Sequence, residues 1–198
     1  MASIAAAKQA LRKQVKTLLK QLQPSQIMTQ SNKICEKLIA HPDFQKSHRI
    51  SVYLSMTKEV NTERIFEEIL KTGKKCFIPY YKGDNMEMLL MKSQADYDSL
   101  PETAWKIKQP ADDDVQNREN ALNTGGLDLI LVPGLAFSKD GNRCGRGRGY
   151  YDKYLQRCID ETNKTPVTIG LAFSEQIVDD VPVTPNDFKV DAVIYPTE

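Results

Sequence analysis

The stretch from residue 127 to residue 159 constrains this chain most. Leu127-Asp128-Leu129-Ile130-Leu131-Val132 is a near-continuous apolar run, the pattern of a strand buried on both faces of a parallel sheet. Pro133-Gly134 interrupts it, and a glycine-rich run then enters a helical pattern in which Tyr151, Tyr154, Leu155, Cys158 and Ile159 fall on one side. A strand, a glycine loop and an amphipathic helix in that order are the elements of an α/β fold.

The flanking segments alternate in the same way. Ile4, Leu11, Val15, Leu18 and Leu22 form one helical stripe, and Ile27, Ile34 and Leu38 continue helically until His41-Pro42. Residues 49–56 and 75–80 read as strands, residues 86–91 as a weaker one, and residues 167–173 and 192–195 as the last two. Between the first two strands, Asn61 can cap a helix carrying Ile65, Phe66, Ile69 and Leu70 ahead of Gly73. The polar stretch 94–126 reads as a long excursion within one domain spanning residues 1–198. Together these predict an α/β sandwich.

The loop itself reads Gly141-Asn142-Arg143-Cys144-Gly145-Arg146-Gly147-Arg148-Gly149-Tyr150-Tyr151-Asp152. Alternate glycines let backbone N–H groups approach an anion, a helix N-terminus adds partial positive charge, and guanidinium groups add charge-assisted donors. That combination suits a phosphate. The spacing matches neither a dinucleotide fingerprint nor a P-loop, so a solvated turn or an arginine-glycine RNA contact stays open at this point. Asp152 is favoured by the helix dipole in any case, and it is also a hard oxygen ligand of the kind Mg²⁺ takes beside phosphates. Asp187, in Pro185-Asn186-Asp187-Phe188, can be a second such ligand or a turn residue.

Composition narrows the classes. The net charge is +1 over 198 residues, which argues against a protein built for bulk nucleic-acid binding. Cys35, Cys76, Cys144 and Cys158 form no CxxC pair, so reduced thiols in a cytosolic protein are expected rather than a zinc site or disulfide framework. No apolar stretch reaches the roughly 20 residues of a membrane-spanning helix. Lys8, Arg12, Lys13, Lys16 and Lys20 precede the first acidic residue, Glu36, a pattern that transit peptides share.

With those residues assembled, residues 127–137 and the run from Gly145 to Asp152 resemble the signature of the 5-formyltetrahydrofolate cyclo-ligase family. The likeness extends over nearly the whole chain, from Lys8 and Arg12 through Leu54-Ser55-Met56, Phe77-Ile78-Pro79 and the loop around Trp105 to Asn186-Asp187-Phe188-Lys189-Val190-Asp191. It implies a three-layer α/β sandwich with a mostly parallel central sheet and helices on both faces, and conversion of 5-formyltetrahydrofolate, with or without a polyglutamate tail, to 5,10-methenyltetrahydrofolate with consumption of ATP and a requirement for Mg²⁺.

The same resemblance implies the roles of residues. Lys8, Arg12, Arg143, Gly145, Arg146, Gly147, Arg148, Gly149, Tyr150 and Tyr151 would hold ATP, with Arg146, Arg148 and Tyr151 acting in catalysis. Arg146, Gly147, Arg148, Gly149 and Tyr150 would also face the folate. Leu54, Met56, Glu59, Tyr81 and Trp105 would complete the folate site, and Asp152 and Asp187 would hold Mg²⁺. Helical geometry is compatible with the first pair, because Arg12 falls about 40° from Lys8 around the helix. This gives the basic N-terminus a use in a folded enzyme, expected to be a monomer with neither nucleic-acid nor membrane partners. Ser138, Cys144 and Tyr80 depart from the family's pattern, and Tyr80 puts its neighbour Tyr81 in question. Rival readings are a sugar-phosphate isomerase or CoA-transferase relative on a similar scaffold, and an arginine-glycine RNA-binding module.

Overall fold

The computed structural model describes residues 3–103, 107–162 and 164–196; Trp105 lies outside them. The chain begins with α1 (Ile4–Gln21), α2 (Pro24–Ile39) and the short α3 (Pro42–Lys46), and then enters β1 (Arg49–Ser51). Helix α4 (Glu63–Lys71) leads to the hairpin of β2 (Lys75–Lys82) and β3 (Asn85–Met91), and α5 (Gln94–Asp98) opens the excursion. The second half carries β4 (Leu129–Val132), β5 (Ala136–Ser138), β6 (Arg143–Cys144), α6 (Tyr150–Thr162), β7 (Val167–Leu171), β8 (Ile177–Val178) and β9 (Ala192–Ile194).

Six strands form one sheet in the order β3-β2-β1-β4-β7-β9, and β6-β5-β8 form a small second sheet. In the large sheet only the β2–β3 hairpin is antiparallel. Consecutive strand residues point to opposite faces, and here both faces are covered. Ile50, Cys76, Ile78, Leu129, Leu131 and Ile169 pack with α1, α2 and α4 residues such as Val15, Ile34 and Ile65. Phe77, Met88, Ile130 and Val132 pack with Tyr151, Tyr154, Leu155 and Cys158 of α6. The apolar run of β4 is therefore needed on both sides, as its sequence predicts.

Three local expectations are corrected. The stripe on α1 is rotated: Leu19 is 4% exposed, whereas Leu18 is 38% exposed. Counting 100° per residue from Val15, Lys8, Leu19 and Arg12 lie at about 20°, 40° and 60°, while Leu18 lies at about −60°. The helix turns the side bearing Lys8 and Arg12 inward, where it packs on β5 and on the turn at 174–176. Second, the strand expected at 49–56 ends at Ser51. Val52 N still donates to Phe77 O, but the Tyr53 carbonyl accepts from the Thr62 hydroxyl, which draws residues 53–59 out of the sheet. Third, Asn61 is not the N-cap of α4, which is Thr62; its Oδ1 nevertheless accepts from Glu63 N at 2.8 Å.

Residues 118–121 of the excursion run along the outer edge of β3. Leu90 N donates to Glu119 O and Ala121 N to Met88 O, so backbone groups that an edge strand leaves open are taken up. Arg118, 6% exposed at its side chain, clamps this strap through Asp96 and Asp114.

Candidate active site

Where β1 and β4 end, the large sheet opens into a cleft of about 590 Å³, the usual position for a ligand in an α/β sheet. Its floor is the loop between β6 and α6. A Cβ on Gly145 would stand 2.8 Å from Arg143 Nη1, the tip of a side chain held by Pro133 O and Asp152, and Gly147 has φ of 113°. One wall is α1 with Lys8 and Arg12, and another is the segment after β1 with Leu54, Met56 and Glu59. Tyr81 from β2 closes a third side with Tyr150 from α6, their rings 5.0 Å apart.

Every residue named from the sequence as a site residue lines this cleft, apart from Trp105, which lies outside the described residues. Lining residues not anticipated are Tyr53, Ile107, Pro133 and Gly134. Pro133 and Gly134 carried a signal, as the break between the apolar run and the glycine loop, and Tyr53 adjoins Leu54; Ile107 had none. The departures sit off the cleft surface. Tyr80 points to the opposite face of β2 from Tyr81 and donates to Asp112, so the substitution leaves Tyr81 in place. Ser138 bonds Asp140 and Asn142 N within its turn, and Cys144 is buried behind the loop.

Five cationic side chains, Lys8, Arg12, Arg143, Arg146 and Arg148, face three carboxylates, Glu59, Asp152 and Asp187. Each carboxylate is held by one cation. Lys8 Nζ donates to Asp187 Oδ2, which also accepts from Thr184 N and Oγ1 at 2.6 and 2.7 Å. Burial pushes the Asp187 carboxyl up, but the Lys8 ammonium and the Thr184 donors outweigh it and hold it below the ordinary range. Arg143, 5% exposed at its side chain, donates to Asp152 Oδ1 at 2.8 Å and to Pro133 O. Arg146 places Nε and Nη2 on Glu59 Oε1 at 3.0 and 2.7 Å, and Met56 N occupies Glu59 Oε2. Arg12 anchors the loop through Gly145 O at 2.8 Å. Arg148 alone makes no hydrogen bond or ion pair among the described residues.

Three of the cleft tyrosines stay protonated. Burial pushes the phenols of Tyr53, Tyr81 and Tyr151 well above their ordinary range. Tyr151 Oη is buried and interacts with the Tyr81 hydroxyl, and as a protonated phenol it cannot serve as a base at neutral pH.

The carboxylates also fit a divalent ion. Phe188 N donates to Asp152 Oδ1, which brings the 187–188 segment against the start of α6. Asp152 Oδ2 and Asp187 Oδ1 accept no hydrogen bond among the described residues. Two free carboxylate oxygens beside the glycine loop are hard oxygen donors of the kind that would hold Mg²⁺.

The model of the 5-formyltetrahydrofolate cyclo-ligase family matches residues 4–196. A 5-formyltetrahydrofolate cyclo-ligase of Mus musculus is 48% identical over 195 residues, covering 98% of this chain and 95% of that one. A probable 5-formyltetrahydrofolate cyclo-ligase of Caenorhabditis elegans is 39% identical, covering 100% and 97%. The solution structure of an Aquifex aeolicus 5,10-methenyltetrahydrofolate synthetase superposes with a TM-score of 0.77 at 30% identity, covering 94% of this chain and 88% of that one. The family model and these relatives span nearly the whole chain, and the fold agrees: the chain belongs to the 5-formyltetrahydrofolate cyclo-ligase family.

Proposed function

We propose that this chain is an ATP-dependent ligase that closes 5-formyltetrahydrofolate to 5,10-methenyltetrahydrofolate, releasing ADP and phosphate. The observation that carries the reading is one cleft with two unlike halves. A glycine loop with cations from three elements faces aromatic and apolar walls from Leu54, Met56, Tyr81 and Tyr150. The first half suits a triphosphate and the second a flat heterocycle.

The chemistry needs both halves at once. An N-formyl group is a resonance-stabilised, amide-like carbonyl, and the neighbouring N10 amine cannot expel its oxygen unaided. Transfer of the γ-phosphoryl group to the formyl oxygen releases ADP and leaves an iminium carbon bearing a phosphate ester. The N10 lone pair then attacks that carbon. Loss of the N10 proton and departure of phosphate with the C–O electrons complete the ring. Phosphoryl transfer is catalysed mainly by positioning and charge stabilisation. In this reading Lys8, Arg12, Arg143 and Arg148 with the loop amides neutralise and align the phosphates. Arg146 and the Tyr151 hydroxyl meet the oxygen that receives the phosphoryl group. Glu59 accepts the donor edge of the pterin, and the Tyr81 and Tyr150 rings pack beside it. Asp152 and Asp187 hold Mg²⁺, which supplies charge neutralisation and alignment of the phosphate chain.

We read the chain as one domain working as a cytosolic monomer. No helix among the described residues is long and apolar enough to cross a membrane. Lys8 and Arg12 are committed to the cleft, which supports a basic N-terminal helix that belongs to the enzyme. The rivals differ in what they need: an isomerase turns over without nucleotide, and an RNA module shows salt-dependent RNA affinity without hydrolysis. The deciding assay supplies folinate and Mg²⁺ and follows the methenyl chromophore. Product is expected only when ATP is present, and its absence under saturating substrates removes the proposal.

A further inference from the structure

The ion pair between Arg146 and Glu59 joins the two halves of the cleft. Arg146 belongs to the glycine loop, on the phosphate side, and Glu59 to the wall that follows β1. The two ends differ in freedom. Glu59 is 9% exposed at its side chain, fixed by Met56 N on Oε2 and by its own N–H on Met56 O, whereas Arg146 is 42% exposed and flanked by Gly145 and Gly147. The guanidinium is also held loosely for such a pair. Both its donors converge on one oxygen, Oε1, instead of forming the two parallel bonds of a fork on a carboxylate.

A pterin presents an N–H and an adjacent exocyclic NH₂ along one edge. That edge is a planar pair of donors, close in shape to one side of a guanidinium. Glu59 Oε1, the oxygen facing the cleft, therefore cannot serve Arg146 and a pterin edge fully at the same time. The geometry points to Glu59 as a positioning residue: it holds Arg146 away from the nucleotide until a pterin displaces it, so that folate binding releases Arg146 to the phosphates and strengthens nucleotide binding. This rests on the folate reading above and adds to it a coupling between the two substrates. Coupling of this kind is reciprocal, so nucleotide must strengthen folate binding by the same factor.

The test measures binding without turnover. A β,γ-methylene ATP analogue with Mg²⁺ is titrated into the full-length protein by calorimetry, with and without saturating 5-methyltetrahydrofolate, which keeps the pterin edge but has no formyl oxygen. In the wild type the folate is expected to tighten nucleotide binding on the order of tenfold. In Glu59→Gln, whose side-chain oxygen can still accept from Met56 N, Arg146 is already released. Nucleotide alone should bind several-fold more tightly than to the wild type, and added folate should change that affinity less than twofold. A lost charge acting only at a distance would raise affinity equally with and without folate and leave the ratio intact. Independent affinities in the wild type, or a ratio that survives in Glu59→Gln, overturn the proposal. So does nucleotide binding to Glu59→Gln alone that is no tighter than to the wild type. These results are separable from failure of the folate reading, in which the wild type binds no folate and forms no methenyl product.

Discussion

Replacing Asp152 with Asn separates what this carboxylate does for the fold from what it does for the reaction. Asp152 Oδ1 accepts from Arg143 Nη2 at 2.8 Å and from Phe188 N at 3.1 Å, and an Asn oxygen can take both bonds. The fold loses only the charge opposite Arg143, a guanidinium that is 5% exposed and still donates to Pro133 O. A hydrogen bond to a charged group contributes about 1.5–3 kcal/mol and a neutral one about 0.5–1.5, so the cost is about 1–2 kcal/mol. For a chain of this size that corresponds to roughly 2–8 °C in Tm. The reaction loses one of two anionic oxygens offered to Mg²⁺, and the proposal expects kcat/KM to fall at least about 100-fold, with a higher Mg²⁺ requirement. Thermal unfolding and methenyl formation across a Mg²⁺ titration read the two effects separately. Activity within about threefold of the wild type would refute the metal role. A loss of activity that merely follows the unfolded fraction would make Asp152 a structural partner of Arg143.

Three further outcomes follow from the geometry. Burial pushes the Glu119 carboxyl up, but donors from Lys75, Arg49 and Thr124 outweigh it and bring it to about 2 from an ordinary 4.5. Because the folded value is depressed, the associated stability is complete above pH 4.5 and is lost as pH falls through about 2. Urea midpoints of Glu119→Gln should accordingly fall less steeply than those of the wild type between pH 5.5 and 3, and parallel slopes would contradict this. Leu19→Ala should destabilise by about 2–4 kcal/mol and Leu18→Ala by under about 1, since only Leu19 is buried; equal shifts in chemical denaturation would return the stripe to its sequence-based position. Gly147→Ala should raise the KM for ATP. Its Cβ meets nothing closer than Arg12 Cζ at 3.8 Å, yet φ of 113° costs a side chain about 1–3 kcal/mol unless the loop moves. An unchanged KM would show that the loop's path is irrelevant to the nucleotide.

The parts of this molecule legible in its sequence are those in which one physical demand acts on adjacent residues. The apolar run of β4 is forced by burial on both faces, and the glycine loop by close approach to Arg143 and a positive φ, so each leaves a contiguous trace. The sheet β6-β5-β8 leaves none, because strands of two or three residues are too short to show a period. The orientation of α1 was ambiguous for a related reason. Leu18 and Leu19 are equally apolar, and the choice between them is made by Lys8 and Arg12 reaching Asp187 and Gly145 O, partners 179 and 133 residues away. The shortened β1 was likewise settled from a distance, by the Thr62 hydroxyl taking the Tyr53 carbonyl.

The paired charges explain how a cleft this cationic is tolerated within the fold before any ligand arrives. A buried guanidinium or carboxylate left alone costs several kcal/mol in desolvation. Each of the three carboxylates instead binds a cation from a different element: Lys8 of α1 to Asp187, Arg143 of β6 to Asp152, and Arg146 of the loop to Glu59. The same pairs also fix the relative positions of α1, the loop, the wall after β1 and the segment before β9. In the proposed reaction an incoming nucleotide would exchange partners: phosphate oxygens would take over cations, while Mg²⁺ and the pterin would take over carboxylates. No charge has to be stripped of all its partners along the way. This requires the two classes of ligand to arrive together for the exchange to be complete, which is the physical basis for expecting folate and nucleotide to bind with mutual dependence.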